Sequence, residues 1–199
     1  MATSEVGICN IALGKVGARS ILSLTDDSVA ARECNRLYIH CRDMELRAYV
    51  WGFAKKRVQL AASSVAPEFG PTTAFPLPAD YLQLHRDIYD RAASDGLVPN
   101  DWSVENHEGV RAIMTDWEAP LKVVYIARVT DVTTMDILFH EALAARIALN
   151  FSEKLTQSNT KRQLAATEYD MAIKSAKRSG AIETQPQDAD EDPWLIARR

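Results

Sequence analysis

The sequence predicts an α+β protein: a bundle of about four helices, a small antiparallel β-region inserted into the bundle, and an extended C-terminal arm. Three observations predict this class. Apolar residues recur with a helical period near both ends of the 199-residue chain. Between these two parts, β-branched and aromatic residues dominate and the period changes. After residue 180 the chain is acidic and contains proline and glutamine, a composition that buries too little to form packed elements.

We divide the chain into four ranges on this basis. They are an N-terminal helical part of the bundle at 1–66, an inserted β-region at 67–131, a C-terminal helical part at 132–180 and an extended arm at 181–199. The length suits one domain of ordinary size with an arm. A chain with 47% hydrophobic and 25% charged residues is typical of globular proteins.

The first two helices are predicted from caps and period. One runs from about Ser4, a suitable N-cap, to Val16, with Gly17 as its stop. The other begins after the sequence TDDS at 25–28, which can cap free amides. Its apolar stripe, in steps of three and four, is Ala30, Cys34, Leu37, Cys41, Met44 and Ala48.

The third and fourth helices are predicted at 136–153 and 159–179. The segment FHEALAARIALNF is apolar on most of its circumference, so we expect the third helix to be buried between other elements. Gly180 closes the fourth helix in this interpretation. The apolar face of the fourth helix is Ala165, Tyr169, Ala172 and Ala176.

The β-region has one predicted extended segment and three predicted strands. In FPLPADYLQLHR, at 75–86, two prolines precede an extended YLQL segment. The sequences VRAIMTD at 110–116 and LKVVYIARV at 121–129 are separated by a turn-length gap, and we interpret them as a hairpin. WSVEN at 102–106 is a weaker third strand.

The sequence WGFAKKR follows the second helix. We predict that Trp51 and Phe53 are core residues that join the helices to the sheet, which leaves Lys55, Lys56 and Arg57 at a surface. These basic residues are a possible subunit contact. Basic residues among aromatics also occur in single-strand binders, but the net charge of −4 argues against a nucleic-acid grip.

No sequence pattern predicts a catalytic residue, a metal or a cofactor. HEALA at 140–144 has alanine where a zinc protease needs its second histidine. His40 and Cys41 are adjacent on a helix and point about 100° apart, so they do not ligate one ion easily. No G-x-S-x-G or phosphate loop is present. The acid pairs Asp26 with Asp27 and Asp87 with Asp90 fall in cap or loop contexts. We therefore predict that the protein is not an enzyme.

The expected compartment is a reducing cytoplasm. The first residues lack the basic and apolar segments of a secretion signal, and no apolar run approaches membrane-spanning length. Three cysteines, an odd number, do not suggest a disulfide framework. Residues 1–66 carry nine basic and six acidic side chains, whereas 181–199 carry five acidic and two basic ones. This asymmetry serves contact between copies or is ordinary solvated charge.

Three segments together resemble the tail tubular protein A family, the head-to-tail adaptors of short-tailed bacteriophages. They are DDSVAARECNRLYIHCRDMELRAYVWGFAKKRVQLA at 26–62, FPLPADYLQLHR at 75–86, and APLKVVYIARVTDVTTMDILFHEALAARIALNFSEKLTQS at 119–158. The ending PWLIAR adds to the likeness. The order and spacing of these segments, rather than any one of them, carry the resemblance.

The resemblance implies a ring of typically twelve copies in the virion, at the head–tail junction. The portal protein would lie above the ring and the tail tube or nozzle below it, and DNA would pass through without sequence-specific binding. After the linker, we expect the chain's end to anchor on the portal or a neighbouring subunit, through residue types enriched at interface hot spots. The anchor residues are Trp194, Leu195, Ile196, Arg198 and Arg199. The alternative is that Trp194 folds back onto its own domain.

Three other functions stay open. A connector of the long-tailed phage type is also a ring protein beneath the portal, but is usually more purely helical. Some phage proteins in a similar position carry a cell-wall hydrolase, for which no site is predicted here. A DNA-binding accessory protein would bind DNA as an isolated monomer, with an affinity that depends on salt.

Overall fold

A computed structural model of the chain describes residues 4–85 and 102–183. In these ranges two helical pairs flank six strands, which confirms the α+β class. The helices are α1 (Glu5–Val16), α2 (Val29–Ala48), α3 (Ile137–Thr156) and α4 (Asn159–Ile182). The strands are β1 (Lys55–Leu60), β2 (Thr73–Pro76), β3 (Tyr81–Leu84), β4 (Trp102–His107), β5 (Val110–Thr115) and β6 (Leu121–Ala127).

Each helix begins at an oxygen-bearing cap. The side chains of Ser4, Ser28, Asp136 and Ser158 accept hydrogen bonds from backbone amides two or three residues ahead. These bonds satisfy amides that have no partner within the helix, which is why the helices start where the sequence predicts. Gly17 ends α1 with a φ of 73°, a conformation that glycine adopts without strain.

The end of α4 differs from the prediction. Gly180 does not close the helix, which continues to Ile182. The first two residues of the 181–199 range are therefore helical rather than extended. Glycine lowers helix stability by only about 1 kcal/mol, so a long helix whose inner face is packed continues through it.

Helix α3 occupies the centre of the bundle, in contact with α1, α2 and α4. Its residues at steps of four are completely buried: Phe139, Leu143, Ile147 and Phe151. Alanines on its other faces are buried as well, so neighbouring helices approach it closely. The predicted burial of this helix between other elements is confirmed.

The apolar stripe predicted for α2 is correct in its first half and wrong in its second. Cys34, Leu37 and Cys41 are buried, but Met44 and Ala48 are exposed. The inward position in that turn is taken by Glu45, which is 2% exposed. The error has a physical cause, because a buried carboxylate with its own hydrogen-bond partners leaves no trace in a hydrophobic pattern.

The strands form two antiparallel sheets of three strands, ordered β1-β6-β3 and β2-β5-β4. The predicted hairpin of 110–116 with 121–129 is wrong, because β5 and β6 belong to different sheets. The segment 117–120 carries the chain from one sheet to the other. The tight hairpin is β4–β5, whose two turn residues, Glu108 and Gly109, both have positive φ.

The two sheets share a small apolar core, formed by Leu60, Phe75, Ile113, Leu121 and Val123. Strand β1 lies in the 1–66 range that we expected to be helical, so strand structure begins at Lys55. Its charged sequence, KKRVQL, hides its strand character because only Leu60 is fully buried.

Trp51 is a core residue, as predicted, in the buried cluster that also contains Leu82 of β3 and Ile126 of β6. It is 3% exposed, and its Nε1 donates to the backbone oxygen of Glu45 at 2.8 Å. Its ring packs edge-on against Phe139 of α3, with the ring centroids 4.9 Å apart. Phe53 is half-buried and packs against the same core. Within 4–85 and 102–183, no helix has the length and apolarity that a bilayer crossing requires.

Candidate interaction surfaces

His140 has a structural role. It is 7% exposed, and its Nε2 lies 3.0 Å from the backbone oxygen of Val132, in the turn that precedes α3. Ala144, at the position where a protease helix would place a second ligand, is completely buried. The site therefore anchors the start of α3 and offers no open coordination position.

The cysteines are buried free thiols. A hydrogen bond with Cys34, together with burial, raises the pKa of the Cys9 thiol, so this thiol stays protonated. Cys41 accepts a hydrogen bond from Asn150 Nδ2 at 3.1 Å, whereas His40 beside it is exposed. No group of three His, Cys, Asp or Glu side chains in the described ranges has the arrangement of a metal site.

The acid pairs have different outcomes. Asp26 accepts hydrogen bonds from the backbone amides of Leu22 and Ser23, which stabilise the turn before α2. Asp27 pairs with Arg32 at 2.6 Å in solvent. Asp87 and Asp90 lie outside the described residues.

The basic residues at the start of β1 are divided between the two faces of the strand. Lys56 pairs with Asp80 at 2.7 Å, and Asp80 also accepts a hydrogen bond from the Tyr125 hydroxyl at 2.9 Å. Although burial opposes it, the bonds from Lys56 and Tyr125 lower the pKa of the Asp80 carboxyl. Burial and the bond to Asp80 raise the pKa of Tyr125 to about 12. Lys56 is thus engaged within its own chain.

Lys55 and Arg57 point to the opposite face of β1, since side chains alternate along a strand. Arg57 is exposed, and Lys122 follows on β6, opposite Gln59. Arg57 and Lys122 border a shallow depression of about 350 Å³ whose lining also includes Val58, Val123 and Val124. The depression therefore combines two basic side chains with an apolar lining, a composition that suits a subunit contact.

A larger depression of about 540 Å³ separates the outer face of α2 from the β-region; we call it the α2 groove. Met44 and Arg47 contribute from α2, and Arg111 from β5. The apolar base comes mainly from the β2–β3 segment. The complete lining is His40, Asp43, Met44, Arg47, Leu77, Pro78, Ala79, Tyr81, Leu82, Val110, Arg111 and Arg128.

The charge in the α2 groove is positive. Its one acid, Asp43, is held between Arg42 and Arg128, each at 2.8 Å. Arg47 donates to the backbone oxygen of Leu82 at 3.2 Å. Within the described ranges, no carboxylate forms an ion pair with Arg47 or Arg111. The guanidinium groups of Arg47 and Arg111 therefore have no carboxylate partner among the described residues of the groove.

The sequence did not predict the α2 groove. Its arginines come from three separate elements, and no local pattern joins positions 47, 111 and 128. One signal was available: Met44 and His40, one turn apart on α2, share its outer face. The FPLPADYLQLHR segment singled out from the sequence supplies much of the apolar base.

The predicted anchor residues, Trp194, Leu195, Ile196, Arg198 and Arg199, lie outside the described residues. The structure therefore places only Lys55, Lys56 and Arg57 among the predicted contact residues. No protein-family model matches the chain, and a search of curated proteins finds no similar protein.

Proposed function

We propose that the protein is a structural head-to-tail adaptor of a tailed bacteriophage, which forms a ring of about twelve copies beneath the portal. The observation that carries the proposal is the order of the three segments that resemble tail tubular protein A. They fall on α2 with β1, on β2 with β3, and on β6 with α3. The likeness therefore covers one helix of each helical pair and part of the β-region.

The combination of elements favours the short-tailed type over the long-tailed connector. A connector of the long-tailed type is usually more purely helical, whereas this chain has two small sheets between its helical pairs. The sheets share a core of their own, and Leu82 of β3 and Ile126 of β6 belong to the core of the bundle.

The distribution of charge supports a head-to-tail ring. In such a ring, one face of each copy meets a different face of the next. The described part of the chain has two cationic depressions, on β1–β6 and beside α2. The 181–199 range carries five acids and two arginines. A chain with one basic face and one acidic segment is complementary to its own copies.

The net charge suits a conduit for DNA. Twelve copies at −4 each would carry about −48, so the whole ring would not attract phosphate. A strongly basic channel would bind DNA by releasing counterions and would slow ejection. In this proposal the adaptor joins the DNA-filled head to the tail tube or nozzle, and its work is mechanical.

The test combines the purified chain with the portal of the same phage and images the mixture by electron microscopy. We expect a cyclic layer of density on the lower face of the portal, and the same protein at the head–tail junction of virions. A control variant, Phe69→Ala, alters an exposed side chain away from both depressions and should bind equally.

Two outcomes would contradict the proposal. The protein could be absent from virions, or it could remain free when the portal is present. DNA binding measured in parallel distinguishes the accessory-protein alternative, since that class binds as a monomer with an affinity that falls steeply with salt. We expect no such binding.

A further inference from the structure

The α2 groove combines an apolar base with a cationic rim. Its base is apolar, with Leu77, Tyr81 and Leu82 facing the exposed Met44 of α2. Its rim carries Arg47 and Arg111. A ligand that fits must therefore present bulky apolar side chains next to carboxylates.

Residues 188–196 of this chain, DADEDPWLI, have that composition. Four carboxylates are followed after one proline by tryptophan, leucine and isoleucine. The segment begins six residues after the end of α4. A linker of this length spans up to about 20 Å when extended, enough to reach a neighbouring molecule.

We propose that the α2 groove binds residues 188–196 of a second copy of this chain. The acids pair with Arg47 and Arg111, and the Trp194 side chain covers the apolar base beside Met44. Carboxylate–arginine pairs are strong when they form two parallel hydrogen bonds. Tryptophan is among the residue types most enriched at interface hot spots.

The occupant is a second copy because, in a ring with heterologous contacts, each copy can place its own segment in one neighbour's groove and bind the segment of the other neighbour. The inference rests in this respect on the proposed function. It goes beyond that function by naming both halves of the contact between neighbouring copies. Each contact is weak because the segment must be ordered, but repetition around a closed ring makes the contacts act together.

The test uses the full chain with Met44→Cys and Ile196→Cys, oxidised by copper phenanthroline. The native cysteines do not compete, since all three have 0% exposure. We expect disulfide-linked dimers and higher oligomers on a non-reducing gel. The matched control pairs Ile196→Cys with Leu22→Cys. Leu22 is 94% exposed and lies before the opposite end of α2, so this pair should give little cross-linking.

Charge reversal tests the rim of the groove. Arg111→Glu in the Met44→Cys, Ile196→Cys chain should reduce cross-linking several-fold. Arg19→Glu makes the same charge change at an exposed residue that lines neither depression, and it should leave cross-linking unchanged. Circular dichroism melting checks that both variants fold. Equal cross-linking in the two charge variants would contradict the assignment of the groove.

The experiment is run on the purified chain at high concentration and on the chain bound to its portal. An intrachain disulfide, seen as a faster-migrating monomer, would overturn the proposal in favour of a segment that folds back. The proposal would also be overturned if the Met44→Cys, Ile196→Cys chain formed no disulfide between positions 44 and 196 in either sample. A chain that binds the portal but does not cross-link keeps the adaptor function and loses only this inference. Interchain cross-linking by a chain that does not bind the portal supports the contact between copies and contradicts the adaptor function.

Discussion

At the scale of single residues, Trp51 connects two helices of the bundle. Its ring contacts Phe139 of α3, and its indole nitrogen binds the oxygen of Glu45 near the end of α2. We expect Trp51→Ala to lower the free energy of unfolding by about 3–5 kcal/mol, since it leaves a large cavity. Chemical denaturation measures this change. Phe69→Ala, at a side chain that is 87% exposed, should change stability by less than about 0.5 kcal/mol.

Glu45 is the least predictable residue of the core. Its Oε1 accepts a hydrogen bond from the Tyr169 hydroxyl at 2.7 Å and lies 3.4 Å from Arg146. This arrangement links α2, α3 and α4 through a buried charge. A hydrophobic period places apolar residues well, but it assigns acids to the surface. The sequence therefore indicated Met44 as the inward residue, one position away from the true one.

Tyr169 should make folding stability depend on pH in alkaline solution. Burial and the hydrogen bond to Glu45 raise the pKa of Tyr169 to about 12. An unfolded tyrosine ionises near pH 10, so the unfolded state loses its proton first. Stability contributed by Tyr169 is complete below pH 10 and falls as pH rises toward 12. Unfolding followed between pH 8 and 12 should show a weaker decline in Tyr169→Phe than in the natural chain. Identical slopes would contradict this coupling.

At the scale of elements, the helices were predictable and the strand pairing was not. The start of a helix is determined locally by its cap, as at Ser28 and Asp136. Its buried face is indicated by the spacing of apolar residues. A strand's partner is chosen by contacts distant in sequence. The turn-length gap at 117–120 is equally compatible with a hairpin and with a passage between sheets. Ile113 and Val123 belong to the shared core but lie in different sheets, so they are not partners along one ladder.

Substitutions at the two residues of the β4–β5 turn should have opposite effects on the free energy of unfolding. Glu108 has φ 53° and Gly109 has φ 80°, values suited to the Asn-Gly pair of a type I′ turn. Glu108→Asn should therefore raise the free energy of unfolding, by between a few tenths of a kcal/mol and about 1 kcal/mol. Gly109→Ala should lower it by about 1 kcal/mol. Thermal and chemical unfolding of both variants give the test; two changes of the same sign would contradict this account of the turn.

At the scale of the whole molecule, the candidate site was predictable only in part. Sequence reasoning found the basic start of β1, because its residues are consecutive. It missed the α2 groove, because the rim arginines at 47, 111 and 128 come together only in the folded chain. Charge asymmetry was visible along the sequence, but the place where the positive charge collects was not.

Catalysis is not expected of this molecule. His140 is held by Val132, and the Cys9 thiol has a raised pKa, so neither is prepared for acid–base or nucleophilic work. Purified protein should show no turnover of peptidoglycan, DNA, peptide or ester substrates above a boiled control. A measurable rate that one Asp, Glu or His substitution abolishes would contradict this prediction.

The last prediction concerns residues 193–199, which include the predicted anchor. The helical core of the described chain is closed by contacts of Ala165, Ile173 and Ala176 on α4. Deleting 193–199 should therefore leave the melting temperature nearly unchanged. Attachment to the portal should fall about tenfold or more, because the ring that binds the portal loses a hot-spot contact of about 2 kcal/mol between neighbouring copies. Trp194→Ala should reproduce most of the loss, whereas Arg199→Ala alone should have a smaller effect. Calorimetry of the free protein and co-sedimentation with portal separate the two quantities. If the truncated protein melts at a much lower temperature, Trp194 packs on its own domain, and the contact between copies must use other residues.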